Sequence, residues 1–215
     1  NALNEAMWQE LREAMRWADA TPEVRVVVLA GAGRNFCAGI DLAMLAGVAQ
    51  AVAHADPARS REQLRRLILD LQGCLSSVEQ CRKPVLAAIQ GACIGGALDL
   101  VTCCDMRYAA ADAVFSVREV DVGMTADVGT LQRLPRIVPD GVARELAYTG
   151  RNVEAVEAAA IGLVNRVFAT QEELSAGVMK LAQVIAAKSP LAVRGTKEML
   201  NYGRDHSVAD GLNYV

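Results

Sequence analysis

Short apolar runs that resemble buried strands alternate with helical segments along most of this sequence. Residues 25–30 (RVVVLA), 84–89 (PVLAAI) and 163–168 (LVNRVF) have the composition of short buried strands. Residues 60–81 and the segment from Thr170 onward instead carry apolar side chains at helical spacing. Such alternation is typical of βαβ units, so the sequence predicts an α/β fold with a largely parallel sheet.

The remaining segments fit the same plan. Further helices are predicted near residues 4–18, 95–104, 140–147, 155–160 and 190–203, and further strands near 106–109 and 114–117. The Ala-rich segment 46–59 contains a proline and is expected to form an irregular insert. With 215 residues and no convincing linker, we expect one domain over residues 1–215, whose C-terminal helical part begins near residue 170.

Composition excludes several classes of function. The net charge of -3 gives no support to a nucleic-acid binder driven by bulk charge. Only two histidines occur, His54 and His206, so metal sites and catalytic triads built on histidine are disfavoured, and we predict no metal site. None of the six cysteines forms a C-x-x-C pair, and we expect them to be reduced, small apolar residues. No apolar run is long enough to span a membrane, so no membrane partner is expected.

Two glycine-containing segments each follow a predicted strand and precede a helix. The first is Ala38-Gly39-Ile40 and the second is residues 91–96 (GACIGG). Glycine allows close backbone approach, and a helix start presents free N–H groups, so such a segment can stabilise an oxyanion. Glycines after strands more often form tight turns, and the residues alone leave both interpretations open. Neither segment has the P-loop or the dinucleotide-binding spacing.

Three carboxylates stand in unusually apolar surroundings. Asp99 follows Gly-Gly-Ala-Leu, Glu119 lies in Val-Arg-Glu-Val-Asp-Val-Gly, and Asp127 lies in Thr-Ala-Asp-Val-Gly. Burial raises the pKa of a carboxyl group and suits it to proton transfer near neutral pH. Structural roles are the alternatives: Asp99 could interact with a helix dipole, and Asp127 could cap a helix beginning at Val128.

Several ordered motifs resemble the crotonase (enoyl-CoA hydratase/isomerase) superfamily. They are residues 36–42 (FCAGIDL), 84–91 (PVLAAIQG) leading into Gly95-Gly96, 104–109 (CDMRYA) and 155–167 (AVEAAAIGLVNRV). The resemblance covers essentially the whole chain. It implies a crotonase-like spiral of ββα units with a helical C-terminal region, and assembly as a homotrimer or a dimer of trimers.

The resemblance also implies a site for an acyl-CoA thioester. The backbone N–H groups of Ile40 and Gly96 would form the oxyanion hole for a thioester enolate, and no separate cofactor would be needed. Contacts to the CoA-linked substrate are expected from Arg34, Ala38, Gly39, Asp41 and Gly95. A second basic contact common after the aspartate of this loop is missing, because Ala43 and Met44 stand there.

Within that family, the segment from Glu119 to Asp127 resembles the branch that isomerises 3,5-dienoyl-CoA to 2,4-dienoyl-CoA in fatty-acid β-oxidation. The resemblance implies that Glu119 removes the C2 proton, that Asp127 delivers a proton to C6, and that Asp99 tunes or positions the pair. Enoyl-CoA hydration is the alternative, since Glu119 and Asp99 are both acidic. A non-catalytic RNA-binding relative is less favoured, because the basic residues of 60–81 are offset by acidic ones.

The resemblance has consequences for the chain ends and for location. Family members begin before Asn1 and continue beyond Val215, so the domain is expected to be trimmed at both ends. The expected location is the cytoplasm for a bacterial protein, and the mitochondrial or peroxisomal matrix for a eukaryotic one.

Overall fold

The computed structural model describes residues 1–215. Its helices are α1 (Glu5–Ala20), α2 (Leu42–Ala51), α3 (Pro57–Gln80), α4 (Gly96–Thr102), α5 (Thr130–Arg133), α6 (Asp140–Thr149), α7 (Ala155–Ala160), α8 (Gln171–Ala186), α9 (Pro190–Tyr202) and α10 (Val208–Tyr214). Its strands are β1 (Val27–Ala30), β2 (Val85–Ile89), β3 (Ala92–Ile94), β4 (Met106–Ala110), β5 (Val114–Ser116), β6 (Val153–Glu154) and β7 (Arg166–Phe168). Two short 3-10 helices cover Glu119–Val122 and Leu134–Arg136.

The larger sheet has the strand order β1-β2-β4-β7, and all of its strand pairs are parallel. Every residue of the central strand β2 is buried. Val85, Ala87 and Ile89 face the main hydrophobic core, whereas Leu86 and Ala88 face a second, smaller one. The predicted α/β fold with a parallel sheet is confirmed, and the continuous apolar run 84–89 reflects a strand covered on both faces.

A second, three-stranded sheet has the order β3-β5-β6. Its first strand lies within residues 91–96, where the sequence indicated only a glycine-containing loop. Three residues are too few to show a period, and pairing with distant segments holds them in place. β3 pairs in parallel with β5 over its whole length, and Cys93 forms a further bridge with Cys37.

Residues 46–51 and 57–59 are helical, so the expectation of an irregular insert was wrong there and holds only for residues 52–56. Asp41 caps α2 by accepting hydrogen bonds from the backbone of Ala43 and Met44. Pro57 occupies the first turn of α3, behind the N-cap Asp56. Proline is favourable at that position because its missing N–H would be unpaired there anyway.

Helix α1 packs along α3 and fixes the start of the chain. Arg12 forms an ion pair with Asp70 at 2.7 Å. Trp8 is buried, and its indole Nε1 donates a hydrogen bond to the carbonyl oxygen of Leu3 at 3.1 Å. Leu3 in turn forms a parallel bridge with Ile40, so α1 supports the loop that contains Ile40.

The C-terminal region is helical, as predicted. Helix α8 packs its apolar face on the larger sheet, and Lys197 of α9 is buried in an ion pair with Asp105 at 2.8 Å. Helix α10 was not predicted, although Ser207 and Asp210 form a capping box at its start. None of the helices combines the length and the apolar character needed to cross a lipid bilayer.

Candidate active site

The two glycine-containing segments identified in the sequence meet in space. The amide of Cys37 donates to the carbonyl oxygen of Ala92 at 2.9 Å, and the amide of Ile94 donates to the carbonyl oxygen of Cys37 at 3.2 Å. On its other side the first loop is bonded to Leu3, which donates to the carbonyl oxygen of Gly39 at 2.7 Å. These bonds tie the loop to β3 and to the start of the chain.

The backbone nitrogens of Ile40 and Gly96 lie close together. A Cβ atom on Gly96 would lie 3.7 Å from the Ile40 nitrogen, and one on Gly39 would lie 3.6 Å from the Gly96 nitrogen. The Ile40 N–H has no hydrogen-bond acceptor in the structure. Gly96 is the first residue of α4, so its N–H has no acceptor within its own helix. Two such converging donors can stabilise a developing oxyanion.

Gly39 can only be glycine in this arrangement. Its φ of +98° lies in the region that L-residues avoid, and a Cβ there would lie 2.7 Å from the carbonyl oxygen of Ile94. The close approach of the two backbones therefore explains this glycine better than a simple tight turn does.

Asp99 is fully buried within the first turn of α4. Its Oδ1 accepts a hydrogen bond from the backbone N–H of Thr130 at 2.6 Å, whereas its Oδ2 is buried without a partner. Burial raises the pKa of Asp99, although the hydrogen bond from the Thr130 amide acts in the opposite direction. The carboxyl of Asp99 therefore connects α4 to the start of α5.

Glu119 opens the short 3-10 helix that follows β5. Its Oε1 would lie 3.4 Å from a Cβ on Gly95, so the carboxyl lies beside the second glycine-containing segment. Burial, followed by the nearby charge of Asp99, raises the pKa of Glu119 to about 7. The Glu119 Oε2 and the Asp99 Oδ2 are both buried and unpartnered, and a proton held between the two interacting carboxyls would satisfy both.

Asp127 is half-buried in the loop that leads to α5, and burial raises its pKa. The interpretation of Asp127 as a helix cap is wrong, because α5 begins at Thr130 and its N-cap is Gly129, without a side-chain capping bond. The Asp127 carboxyl therefore has no capping role and is free for other chemistry. The Asp127 charge also contributes, as the smallest of the effects, to the raised pKa values of Asp99 and Glu119, so Asp127 lies within electrostatic range of both carboxyls.

The residues expected to contact CoA lie on or beside the first loop. Arg34 and Ala38 are exposed, whereas Gly39 is buried and contributes backbone alone. The Asp41 carboxylate is already used as the N-cap of α2. Gly95 lies against Glu119 rather than on the outer surface.

Some residues near the carboxyl cluster were missed or misread in the sequence. The Arg133 side chain is only 16% exposed, because it pairs with Glu79 at 2.9 Å. Gln72 on α3 donates a hydrogen bond from Nε2 to the backbone carbonyl of Asp127 at 2.5 Å. Nothing in the helical period of α3 distinguishes Gln72 from an ordinary polar residue. No group of three or more His, Cys, Asp or Glu side chains is arranged to hold a metal ion, and both histidines are exposed.

Comparison with known proteins identifies the family of this chain. Residues 1–213 match the enoyl-CoA hydratase/isomerase family. The chain belongs to this family. Its fold is confirmed by the crystal structure of enoyl-CoA hydratase from Bacillus anthracis, which has a TM-score of 0.88 and 35% identity and covers 99% of this chain and 78% of that one.

Two relatives within the enoyl-CoA hydratase/isomerase family are more similar in sequence. The peroxisomal Delta(3,5)-Delta(2,4)-dienoyl-CoA isomerase of Arabidopsis thaliana is 50% identical over the whole of this chain, which spans 78% of that protein. The mitochondrial enzyme of the same name from Homo sapiens is 48% identical over the whole chain, which spans 66% of that protein.

Proposed function

We propose that this protein isomerises 3,5-dienoyl-CoA to 2,4-dienoyl-CoA in fatty-acid β-oxidation. The observation that carries the proposal is the pair of buried, interacting carboxyls of Asp99 and Glu119 next to the amides of Ile40 and Gly96, with the charge of Asp127 acting on both carboxyls. The similarity to the two dienoyl-CoA isomerases supports the same reaction. Moving two double bonds along one chain needs proton transfer at two separated carbons, and two distinct acid/base groups can supply it.

The thioester carbonyl oxygen would accept hydrogen bonds from the N–H groups of Ile40 and Gly96. Loss of a proton from C2 converts this carbonyl into an enolate, so negative charge grows at the oxygen that the two amides face. Donors that are already in place stabilise such charge without reorganising, which lowers the barrier to deprotonation.

Glu119 is assigned as the base that takes the C2 proton. C2 is bonded to the thioester carbonyl carbon, so its base must lie close to the oxyanion donors. The Glu119 carboxyl lies beside Gly95, the neighbour of Gly96. With a pKa of about 7, about half of Glu119 is ionised at neutral pH and can accept the proton.

Asp127 is assigned as the acid that protonates C6. Burial raises its pKa and so favours the protonated form that an acid needs. One turnover leaves Glu119 protonated and Asp127 ionised, so a proton must return from the first group to the second before the next. Asp99, which interacts with both carboxyls, is assigned the role of tuning their protonation.

The remaining assignments follow the same proposal. Arg34 and Ala38 offer an exposed surface for the CoA portion of the substrate, next to Gly39 and Asp41. The carboxyls, the two backbone amides and the substrate thioester together account for the reaction, so no separate cofactor is assigned. We also infer a single domain, a homotrimer or dimer of trimers, and, for a eukaryotic source, a mitochondrial or peroxisomal location like that of the two relatives.

Enoyl-CoA hydration is the second candidate. The interacting carboxyls of Asp99 and Glu119 could hold one water molecule between them, and the Bacillus anthracis neighbour is named an enoyl-CoA hydratase. One preparation should therefore be assayed with 3,5-dienoyl-CoA and with 2-enoyl-CoA at equal concentrations. Faster isomerisation of the diene supports the proposal. Hydration without isomerisation would reject it in favour of a hydratase.

A further inference from the structure

The loop that contains Asp127 has few bonds to the rest of the protein. No backbone amide from residue 125 to residue 129 donates a hydrogen bond to another backbone group. The next anchored residue is Thr130, whose amide donates to Asp99. The Nε2 of Gln72 donates to the backbone carbonyl of Asp127 at 2.5 Å, and this bond reaches the loop at the residue that carries the carboxyl.

Ala126 and Val128 pack against the main core, but the side of the loop that faces α3 is not closely packed. A polar cavity of about 670 Å³ lies there, and it is lined by Gln72, Val128, Gly129 and Arg133 among others. Atoms that border a cavity lack neighbours to resist their movement. If the Gln72 bond were lost, the loop could move towards the cavity and draw the Asp127 carboxyl away from the substrate.

The backbone of Gln72 is itself well fixed. Its neighbours Leu71, Cys74 and Leu75 are buried in the main core, so α3 cannot easily shift at this point. A rigid helix that donates a hydrogen bond to the backbone of the residue carrying a catalytic carboxyl has the arrangement expected of a support for that group.

We propose that Gln72 is a positioning residue that holds Asp127 where it can protonate C6. The inference rests on the proposed isomerase function, and it assigns no contact between Gln72 and the substrate. Since Glu119 and the amides of Ile40 and Gly96 are held by other elements, removal of Gln72 should impair the C6 step and spare the C2 step.

The test replaces Gln72 with methionine, which has a similar length but no N–H donor. Gln80→Met is the matched control, because Gln80 is an exposed glutamine of the same helix whose side chain has no hydrogen bond in the structure. Two rates are measured for each protein: formation of the 2,4-diene, and exchange of the C2 proton of the thioester with deuterated water. Thermal melting reports whether each variant is folded.

We expect Gln72→Met to slow isomerisation by about 10- to 100-fold, the effect of a displacement of up to 1 Å at a reacting group. Its C2 exchange should stay at the wild-type rate, so the ratio of exchange to isomerisation rises. Damage to the whole site would lower both rates together, and that result would overturn the proposal. Rates equal to those of Gln80→Met would also overturn it.

Two further outcomes separate this inference from the function on which it rests. If Gln72→Met does not fold, Gln72→Glu, which keeps the size and also lacks the amide donor, takes its place. The ratio of C2 exchange to isomerisation is then expected to rise in Gln72→Glu. If the wild type does not isomerise the diene, the proposed function fails and the assignment of Gln72 fails with it. A wild type that isomerises, beside a Gln72 variant with an unchanged ratio, rejects the positioning role alone.

Discussion

Replacing Gly39 with alanine tests whether the close approach of the two backbones creates the oxyanion hole. The added Cβ would lie 2.7 Å from the carbonyl oxygen of Ile94, which is 0.7 Å inside the 3.4 Å at which ordinary contact begins. One of the two segments must therefore move by a similar distance. Holding alanine at a φ of +98° costs a further 1–3 kcal/mol, roughly.

The displacement should reduce catalysis more than it reduces folding. Moving one of the two amides out of line amounts to losing one oxyanion donor, which lowers kcat by about 10²- to 10³-fold. We expect the free energy of unfolding to fall by about 2–4 kcal/mol, from the backbone strain and the close contact together. Steady-state isomerisation of 3,5-dienoyl-CoA gives kcat, and urea unfolding gives the stability.

Gly33→Ala is the matched control. Gly33 also has a positive φ, +80°, but a Cβ there would meet nothing within 4 Å. This variant should lose about 1 kcal/mol of stability and keep the wild-type kcat. The reasoning is refuted if a folded Gly39→Ala protein retains kcat, or if Gly33→Ala loses kcat to the same extent.

The carboxyl cluster and the buried ion pair lead to further predictions. Glu119→Gln and Asp127→Asn should each lower the isomerisation rate by about 10²- to 10⁴-fold; a wild-type rate in either folded variant would contradict its assigned role. Glu119→Gln should also gain in melting temperature relative to the wild type between pH 5 and pH 8. The wild type loses stability as the pH rises from the ordinary carboxyl pKa to the raised value of about 7, because in that range the unfolded chain has released the Glu119 proton and the folded protein still holds it. Asp99→Asn removes the negative charge that helps to raise the Glu119 pKa. The part of the pH profile of kcat/KM that reports the ionisation of Glu119 should therefore move to lower pH. A profile that stays in place or moves to higher pH would contradict this. Lys197→Met leaves Asp105 without its buried cation and should cost about 3 kcal/mol in urea unfolding, whereas an unchanged midpoint would show that the pair contributes little.

The sequence was a good guide where the structure depends on local pattern. The apolar run 84–89 is a buried strand, and the helical period of residues 60–81 corresponds to most of α3. Asp99 and Glu119 were recognised by their apolar neighbours, and the pKa of each is raised chiefly by burial. Local signals were also present but misread at Pro57, which begins a helix instead of interrupting one.

Short elements held by distant partners could not be predicted in the same way. β3 has only three residues, and its stability comes from pairing with β5 and from the bridge between Cys37 and Cys93. The end of α9 was predicted, but the separate helix α10 that follows it was not. Such elements depend on tertiary contacts rather than on their own period.

By itself, the sequence determined the α/β class, the three acidic side chains and the two glycine-containing segments. Only the tertiary structure decided how they are used. It brings the amides of Ile40 and Gly96 together, excludes Asp127 as a helix cap, and connects Gln72 to the Asp127 carbonyl. These arrangements depend on backbone atoms, which every residue has, and on contacts between segments far apart in the chain. Apart from the glycines that allow the two backbones to approach, residue type therefore carries little signal for them, whereas burial of a carboxyl does leave a pattern in the sequence.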